Sequence, residues 1–266
     1  MSTHRAQPVA LTIAGSDSGG GAGVQADLKT FASLAVHGAT AVTCITAQSP
    51  NSISAIRPLR ASLVRAQIEE VVEAFSPAAC KTGMLLSSEI IRTVHQFVRE
   101  RPLPLVVDPV MIATSGARLL RPSALRALKE LCSAAVLVTP NLAEARVFSG
   151  RKVDSPEEMR AAARIIHSQL GCAVLVKGGH LKESLSAIDI FFDGEEEVPL
   201  VAPFISQVNT HGTGCTYSAA ITALLARGAG LREAVEEAKG YITQAIAQSV
   251  RVGEFDVLNS FWGGRI

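Results

Sequence analysis

Cysteine is scarce here: five in 266 residues, an odd number, scattered and without a CxxC pair. That excludes a disulfide framework or a zinc site and implies a reduced, cytoplasmic setting. An excess of one charge is missing too. The formal net charge is +1 with no basic block, which excludes a nucleic-acid groove built on charge. No apolar run approaches the ~18–20 residues of a membrane span. The run within Met1–Gly15 is too short for the apolar part of a secretory leader. GxxxxGK followed by Ser or Thr does not occur, which excludes a Walker-type ATPase. No linker, low-complexity tract or repeat interrupts the chain, so residues 1–266 are expected to form a single domain.

What is present is apolar and alternating. The hydrophobic fraction of 48% is ample for a large core. Short β-branched runs predict strands over Val9–Ala14, Ala41–Thr46, Ala79–Thr82, Leu105–Asp108, Val136–Val138 and Val174–Val176. Between them, helical spacing predicts Gly21–Leu34, Leu63–Phe75, Glu89–Arg99, Ser123–Leu131 and Leu142–Phe148. In the second of these, Leu63, Ile68, Val71, Val72 and Phe75 form the expected apolar face. Ser155, Pro156 and Glu158 supply an N-cap, a first-turn proline and an acid at N3 for a helix to about Leu170. Ile188–Phe192 and Val198–Val201 flank Asp193-Gly194 as a hairpin, and helices near Cys215–Arg227 and Leu231–Val250 follow. This rhythm predicts an α/β fold: a mostly parallel central sheet, helices on both faces and an antiparallel edge hairpin. Ligands of such sheets bind beyond the carboxyl ends of the strands.

The densest chemistry is Thr210-His211-Gly212-Thr213-Gly214-Cys215 at the mouth of a helix. A glycine turn aligns backbone N–H groups, and the helix dipole adds positive potential, so a phosphate is the expected anion. Cys215 at that mouth would have its thiolate stabilised. Gly212, Thr213 and Gly214 would face the phosphoryl group, with Thr210 on the nucleotide side; His211 is read as structural rather than as a general base. Gly21, Gly23 and Ala26 match a GxGxxA pattern, but the second strand ends in Thr46-Ala47-Gln48 rather than an acid, against a dinucleotide site. The Gln48 carboxamide offers donor and acceptor side by side, the complement of an aminopyrimidine edge. Asp27 is either a helix-start acid or an acceptor for a ligand amino group, and Met84 packs either in the core or on a ring. Asn141 and Glu144 have capping-box spacing and, with Asp108, could serve a magnesium shell through waters. Lys177, before Gly178-Gly179, could bridge phosphates. Cys44, Cys80, Cys132 and Cys172 read as small core residues.

In order, Ala14-Gly15-Ser16-Asp17, Val24-Gln25-Ala26-Asp27, Thr46-Ala47-Gln48, Lys81-Thr82-Gly83-Met84, Val107-Asp108-Pro109-Val110-Met111, Thr139-Pro140-Asn141, Val176-Lys177-Gly178-Gly179-His180 and the Gly212 run span nearly the whole chain. The set resembles the hydroxymethylpyrimidine/phosphomethylpyrimidine kinases of thiamine biosynthesis, in the ribokinase-like superfamily. The resemblance implies a three-layer α/β/α fold, ATP and Mg2+, two successive phosphorylations of a pyrimidine, and a homodimer. It assigns Gln48 and Asp27 to the aminopyrimidine, Gly15, Met84 and Val110 to its pocket, and Asn141 and Glu144 to the magnesium shell. Lys177 would meet the ATP phosphates and Cys215 would be the base. Pyridoxal kinase activity and a non-catalytic pyrimidine sensor are the alternatives. The chain departs from the pattern at Phe204–Asn209, which lacks the expected Thr-Lys, and at Ser49-Pro50-Asn51.

Overall fold

The computed structural model describes residues 6–112, 119–179, 181, 186–206 and 211–263. Among these, nine strands form one sheet. In chain order they are β1 (Val9–Asp17), β2 (His37–Ser49), β3 (Ser52–Pro58), β4 (Ala79–Thr82), β5 (Leu105–Val107), β6 (Leu137–Val138), β7 (Ala173–Lys177), β8 (Ser186–Phe192) and β9 (Glu197–Pro203). Their spatial order is β3-β2-β1-β4-β5-β6-β7-β8-β9. The six strands from β2 to β7 run parallel, while β3 and the β8–β9 hairpin are antiparallel.

Period-2 alternation sorts each parallel strand between two cores. Leu11, Ile13, Leu105, Val107, Val174 and Val176 face one core. That core packs under α2 (Ala61–Phe75), α3 (Ser88–Glu100), α4 (Leu125–Cys132), α5 (Leu142–Ser149) and α6 (Pro156–Leu170). Val106, Leu137, Ala173 and Leu175 face the other, under α7 (Thr213–Ala226) and α8 (Leu231–Ala247). A smaller cluster joins α1 (Gly23–Ser33) to α7 through Phe31, Ala219 and Ala223. The three-layer α/β/α arrangement therefore follows from strands that are apolar on both faces.

Two hairpins escaped the sequence reading. β3 has no fully buried residue, so its apolar alternation is too weak to announce a strand, and it flanks the sheet as a second antiparallel edge. A separate pair, β10 (Val250–Val252) with β11 (Phe255–Val257), lies outside the main sheet. The expected apolar face of α2 also needs correcting. Its buried stripe is Ala61, Val64 and Ile68, spaced three and four residues apart. Leu63 lies off that stripe and Phe75 ends it at the last turn; both are about half exposed, and the Phe75 ring is tilted against His37. Ser155 caps α6 as expected, accepting from the Glu158 N–H.

Candidate active site

The carboxyl ends of β1, β2, β4, β5 and β7 and the start of α7 enclose a cavity of about 280 Å³. Two helix N-termini meet there. Gly212 adopts a left-handed φ of +83°, and a Cβ at that position would sit 1.8 Å from the Gly21 carbonyl oxygen. Gly23, with φ of +58°, comes so close to the Gly15 carbonyl that a Cβ would lie 2.4 Å from it. Only glycine permits both contacts. The first brings the loop before α1 against the loop before α7, and the second folds the start of α1 back on β1. In α7 the ladder opens with Thr216 N–H donating to the Gly212 carbonyl. The amides of Gly214 and Cys215 therefore precede the ladder at the positive end of the dipole.

Asp17 organises the first loop. Its Oδ1 accepts from the Gly19 amide at 2.8 Å, and its Oδ2 accepts from Ala22 at 2.8 Å and Gly21 at 3.2 Å. Burial opposes its charge, but these bonds and the His211 ring hold the carboxyl below its usual range. His211 Nε2 lies 3.3 Å from Asp17 Oδ2. The Gln48 carboxamide stands between His211 and Thr46, its nitrogen 3.4 Å from His211 Nε2 and its oxygen 3.1 Å from Thr46 Oγ1. Met84 and Gly15 sit together on this side, and a Cβ on Gly15 would lie 3.4 Å from Met84 Cε and 2.8 Å from Cys44 Sγ.

On the other side Lys177 Nζ donates to Asp108 Oδ1 at 3.1 Å, and a Cβ on Gly214 would lie 3.1 Å from the same ammonium. Burial works against that charge, yet Asp108 and Glu144 keep the ammonium above its ordinary range. Asn141 and Glu144 complete the capping box: the Glu144 N–H donates to Asn141 Oδ1 at 3.0 Å, and Glu144 Oε2 accepts from the Asn141 N–H at 2.9 Å. Glu144 also faces the cavity, where burial and then the Asp108 charge, against Lys177, push its carboxyl up to about 7. Asp108, Glu144 and the Asn141 carbonyl are hard oxygen donors beside under-compensated negative charge, which fits a magnesium shell. Among the described residues no three His, Cys, Asp or Glu side chains gather as a direct cage.

Apart from Thr210, which lies outside the described residues, every sequence-derived candidate lines this one cavity: Gly15, Asp27, Gln48, Met84, Asp108, Val110, Asn141, Glu144, Lys177, Gly212, Thr213, Gly214 and Cys215. Two expectations change in detail. Asp27 is fully buried, with Oδ1 accepting from Lys81 Nζ at 2.6 Å and Oδ2 from Thr12 Oγ1 at 2.6 Å. Both oxygens already accept within the wall, so Asp27 borders the cavity as a held carboxylate rather than an open one. Cys215 was expected to have a lowered thiol. Burial instead pushes it up to about 11, outweighing the pull of Lys81 and the Gly23 amide, with Asp27 and Asp108 adding to the rise. The resting side chain is a neutral thiol.

Lys81 was missed as a site residue. It is fully buried on β4 and lines the cavity wall, and the signal was a lysine inside the apolar strand Ala79–Thr82. Beyond Lys177, Pro203, Phe204, Ile205, Ile242 and Ile246 give the cavity an apolar end, which no sequence motif announced.

Comparison with known proteins matches residues 17–258 to the phosphomethylpyrimidine kinase family. The chain is 50% identical over 246 residues to a hydroxymethylpyrimidine/phosphomethylpyrimidine kinase of Rhizobium meliloti, covering 92% of each chain. It is 45% identical over 245 residues to the thiamine biosynthesis bifunctional protein ThiED of Geobacter sulfurreducens, covering 91% of this chain and 50% of that one. Among solved structures it is similar to an ADP complex of Bacillus subtilis pyridoxal kinase, with a TM-score of 0.89, 39% identity, and coverage of 96% of this chain and 98% of that one.

Proposed function

The chain belongs to the phosphomethylpyrimidine kinase family, and from that premise we propose that it is an ATP-dependent phosphotransferase of thiamine biosynthesis. It phosphorylates 4-amino-5-hydroxymethyl-2-methylpyrimidine and then the monophosphate, yielding the diphosphate. The observation that carries this reading is the sharing of one cavity by Gln48 and Met84 on one side and the Gly212–Cys215 turn with Lys177 on the other.

Transfer of a phosphoryl group depends mainly on positioning and charge stabilisation. The aminopyrimidine lies with its edge on Gln48 and its ring against Met84, Gly15 and Val110, which aims the hydroxymethyl oxygen toward α7. Amides at the start of α7 face the equatorial oxygens of the moving phosphoryl group; one donor of this kind contributes roughly 3 kcal/mol to the transition state. Lys177 spans the phosphates as a point charge. Asp108, Asn141 and Glu144 would hold magnesium through waters, and the ion supplies neutralisation of phosphate charge when bound. The nucleoside base occupies the apolar end formed by Phe204, Ile205, Ile242 and Ile246. Cys215 takes the alcohol proton through its minor thiolate form, which a loose transition state tolerates because deprotonation is late.

Pyridoxal is the second reading, favoured by the likeness to a pyridoxal kinase structure; it too is a flat heterocycle bearing a hydroxymethyl group. The Gln48 carboxamide favours the aminopyrimidine, and competition between the two substrates separates them. A homodimer and a cytoplasmic setting belong to the proposal. The latter is supported by five cysteines that stand as free thiols. Phosphorus NMR of the product from hydroxymethylpyrimidine and MgATP tests the main reading. Monophosphate followed by diphosphate is expected, and binding without turnover refutes it.

A further inference from the structure

His211 joins the two halves of the cavity. The residue after it, Gly212, caps α7, while its ring faces the Asp17 loop and the Gln48 carboxamide. The two contacts of its Nε2 determine which way Gln48 is turned. Asp17 Oδ2, 3.3 Å from His211 Nε2, is a carboxylate oxygen that can only accept, so Nε2 carries a hydrogen. An amide nitrogen 3.4 Å from the same Nε2 would set donor against donor.

The opposite end of the carboxamide presents the complementary conflict. Thr46 Oγ1 is 3.0 Å from the Ser16 carbonyl, which can only accept, so the single hydroxyl hydrogen points there. The carboxamide oxygen 3.1 Å from Oγ1 would then meet a lone pair. Half a turn of the carboxamide about its last bond removes both conflicts at once. His211 Nε2–H then donates to the Gln48 oxygen as well as to Asp17, and the Gln48 NH₂ donates to Thr46 Oγ1. One N–H and one lone pair of the carboxamide are left to the cavity, in a fixed order.

We propose that His211 is a positioning residue for specificity: it sets the direction of the Gln48 carboxamide, and so decides which side of a bound heterocycle meets a donor and which an acceptor. A ring with a ring nitrogen and an adjacent amino group in that order is accepted. A ring that offers neither is not rewarded. Because His211 leads directly into Gly212, the same residue ties the reading of the ring to the phosphoryl cradle. The inference deepens the proposed function and rests on Gln48 as the reader of the aminopyrimidine.

The test is steady-state kinetics of hydroxymethylpyrimidine phosphorylation by the wild type, Gln48→Ala, His211→Phe, His211→Gln and the double variant Gln48→Ala/His211→Phe. Each protein is first checked by thermal melting. His211→Phe is expected to raise KM for the pyrimidine about tenfold, the loss of one oriented bond, with KM for ATP within about twofold. His211→Gln, which keeps a donor, should recover most of that loss. In the Gln48→Ala background, His211→Phe should add little, because the group it orients is gone. Independent, additive effects of the two substitutions, or equal rises in both KM values, overturn the inference while leaving Gln48 as the reader. An unchanged pyrimidine KM in Gln48→Ala overturns the reader itself, and the inference with it.

Discussion

Replacing Lys81 by methionine isolates the buried ion pair behind the active site. The chain length is nearly kept and the ammonium is lost. Lys81 Nζ lies 2.6 Å from Asp27 Oδ1, and neither side chain is exposed to solvent. At an effective dielectric of about 20 that separation corresponds to roughly 6 kcal/mol of attraction, set against several kcal/mol of desolvation for each ion. The intact pair is therefore near balance, whereas the broken pair is not. Lys81→Met leaves a carboxylate in the interior whose other oxygen is held by the Thr12 hydroxyl. Orphaning one partner of such a pair costs about 3–5 kcal/mol, or roughly 6–20 °C in Tm at this chain size. Urea unfolding followed by far-UV circular dichroism at pH 7.5 measures it. The double variant Asp27→Asn/Lys81→Met removes both charges and should regain most of the loss. A Lys81→Met protein within about 1 kcal/mol of the wild type, or a double variant no more stable than the single one, would refute the reasoning.

Other perturbations follow from the same geometry. Gly212→Ala forces a Cβ to within 1.8 Å of the Gly21 carbonyl at a left-handed φ; kcat should fall by about 10²–10³ as the phosphoryl-facing amides are displaced, and a kcat within threefold of wild type would contradict the cradle. With the Cys215 thiol near 11, the thiolate fraction rises throughout the range below that value. Single-turnover rates should therefore increase between pH 7 and 9.5 in the wild type, and Cys215→Ala should lack that slope. A pH-independent rate, or an unaltered slope in the variant, removes Cys215 as the base. Magnesium without nucleotide should raise the melting temperature of the wild type, and Glu144→Gln should abolish most of the gain; equal gains in both would dismiss Glu144 from the shell. Phe204→Ser opens the apolar end of the cavity and should raise KM for ATP several-fold without moving that of the pyrimidine, whereas the reverse pattern would displace the nucleoside base from that end.

How much of this was legible in advance depended on whether the signal was local. The parallel strands are written in continuous apolar runs such as Leu105–Val107, and Ser155 with Glu158 announces the start of α6. The glycines at 212 and 214 marked the turn into α7, and with it the proposed cradle, because a helix N-terminus offers its free amides in consecutive residues. β3 was illegible because a half-exposed edge strand needs no apolar face. The half-exposed Leu63 was mistaken for core because the stripe of α2 is set by the sheet it covers, not by the residues taken alone.

The amino-acid order alone determined the strands and helices that alternate in the layered sheet, the glycine turn before α7, and a roster of polar residues at strand ends, because each depends on neighbours within a few positions. Only the tertiary structure decided their states. Lys81 and Asp27 are 54 positions apart in the chain and bond inside the wall; burial lifts the Cys215 thiol above its ordinary value where the helix terminus alone would lower it; His211 reaches a carboxamide 163 residues away. Charge, protonation and orientation in a cavity depend on everything packed around it, and that information is spread over the whole chain rather than held in any one motif.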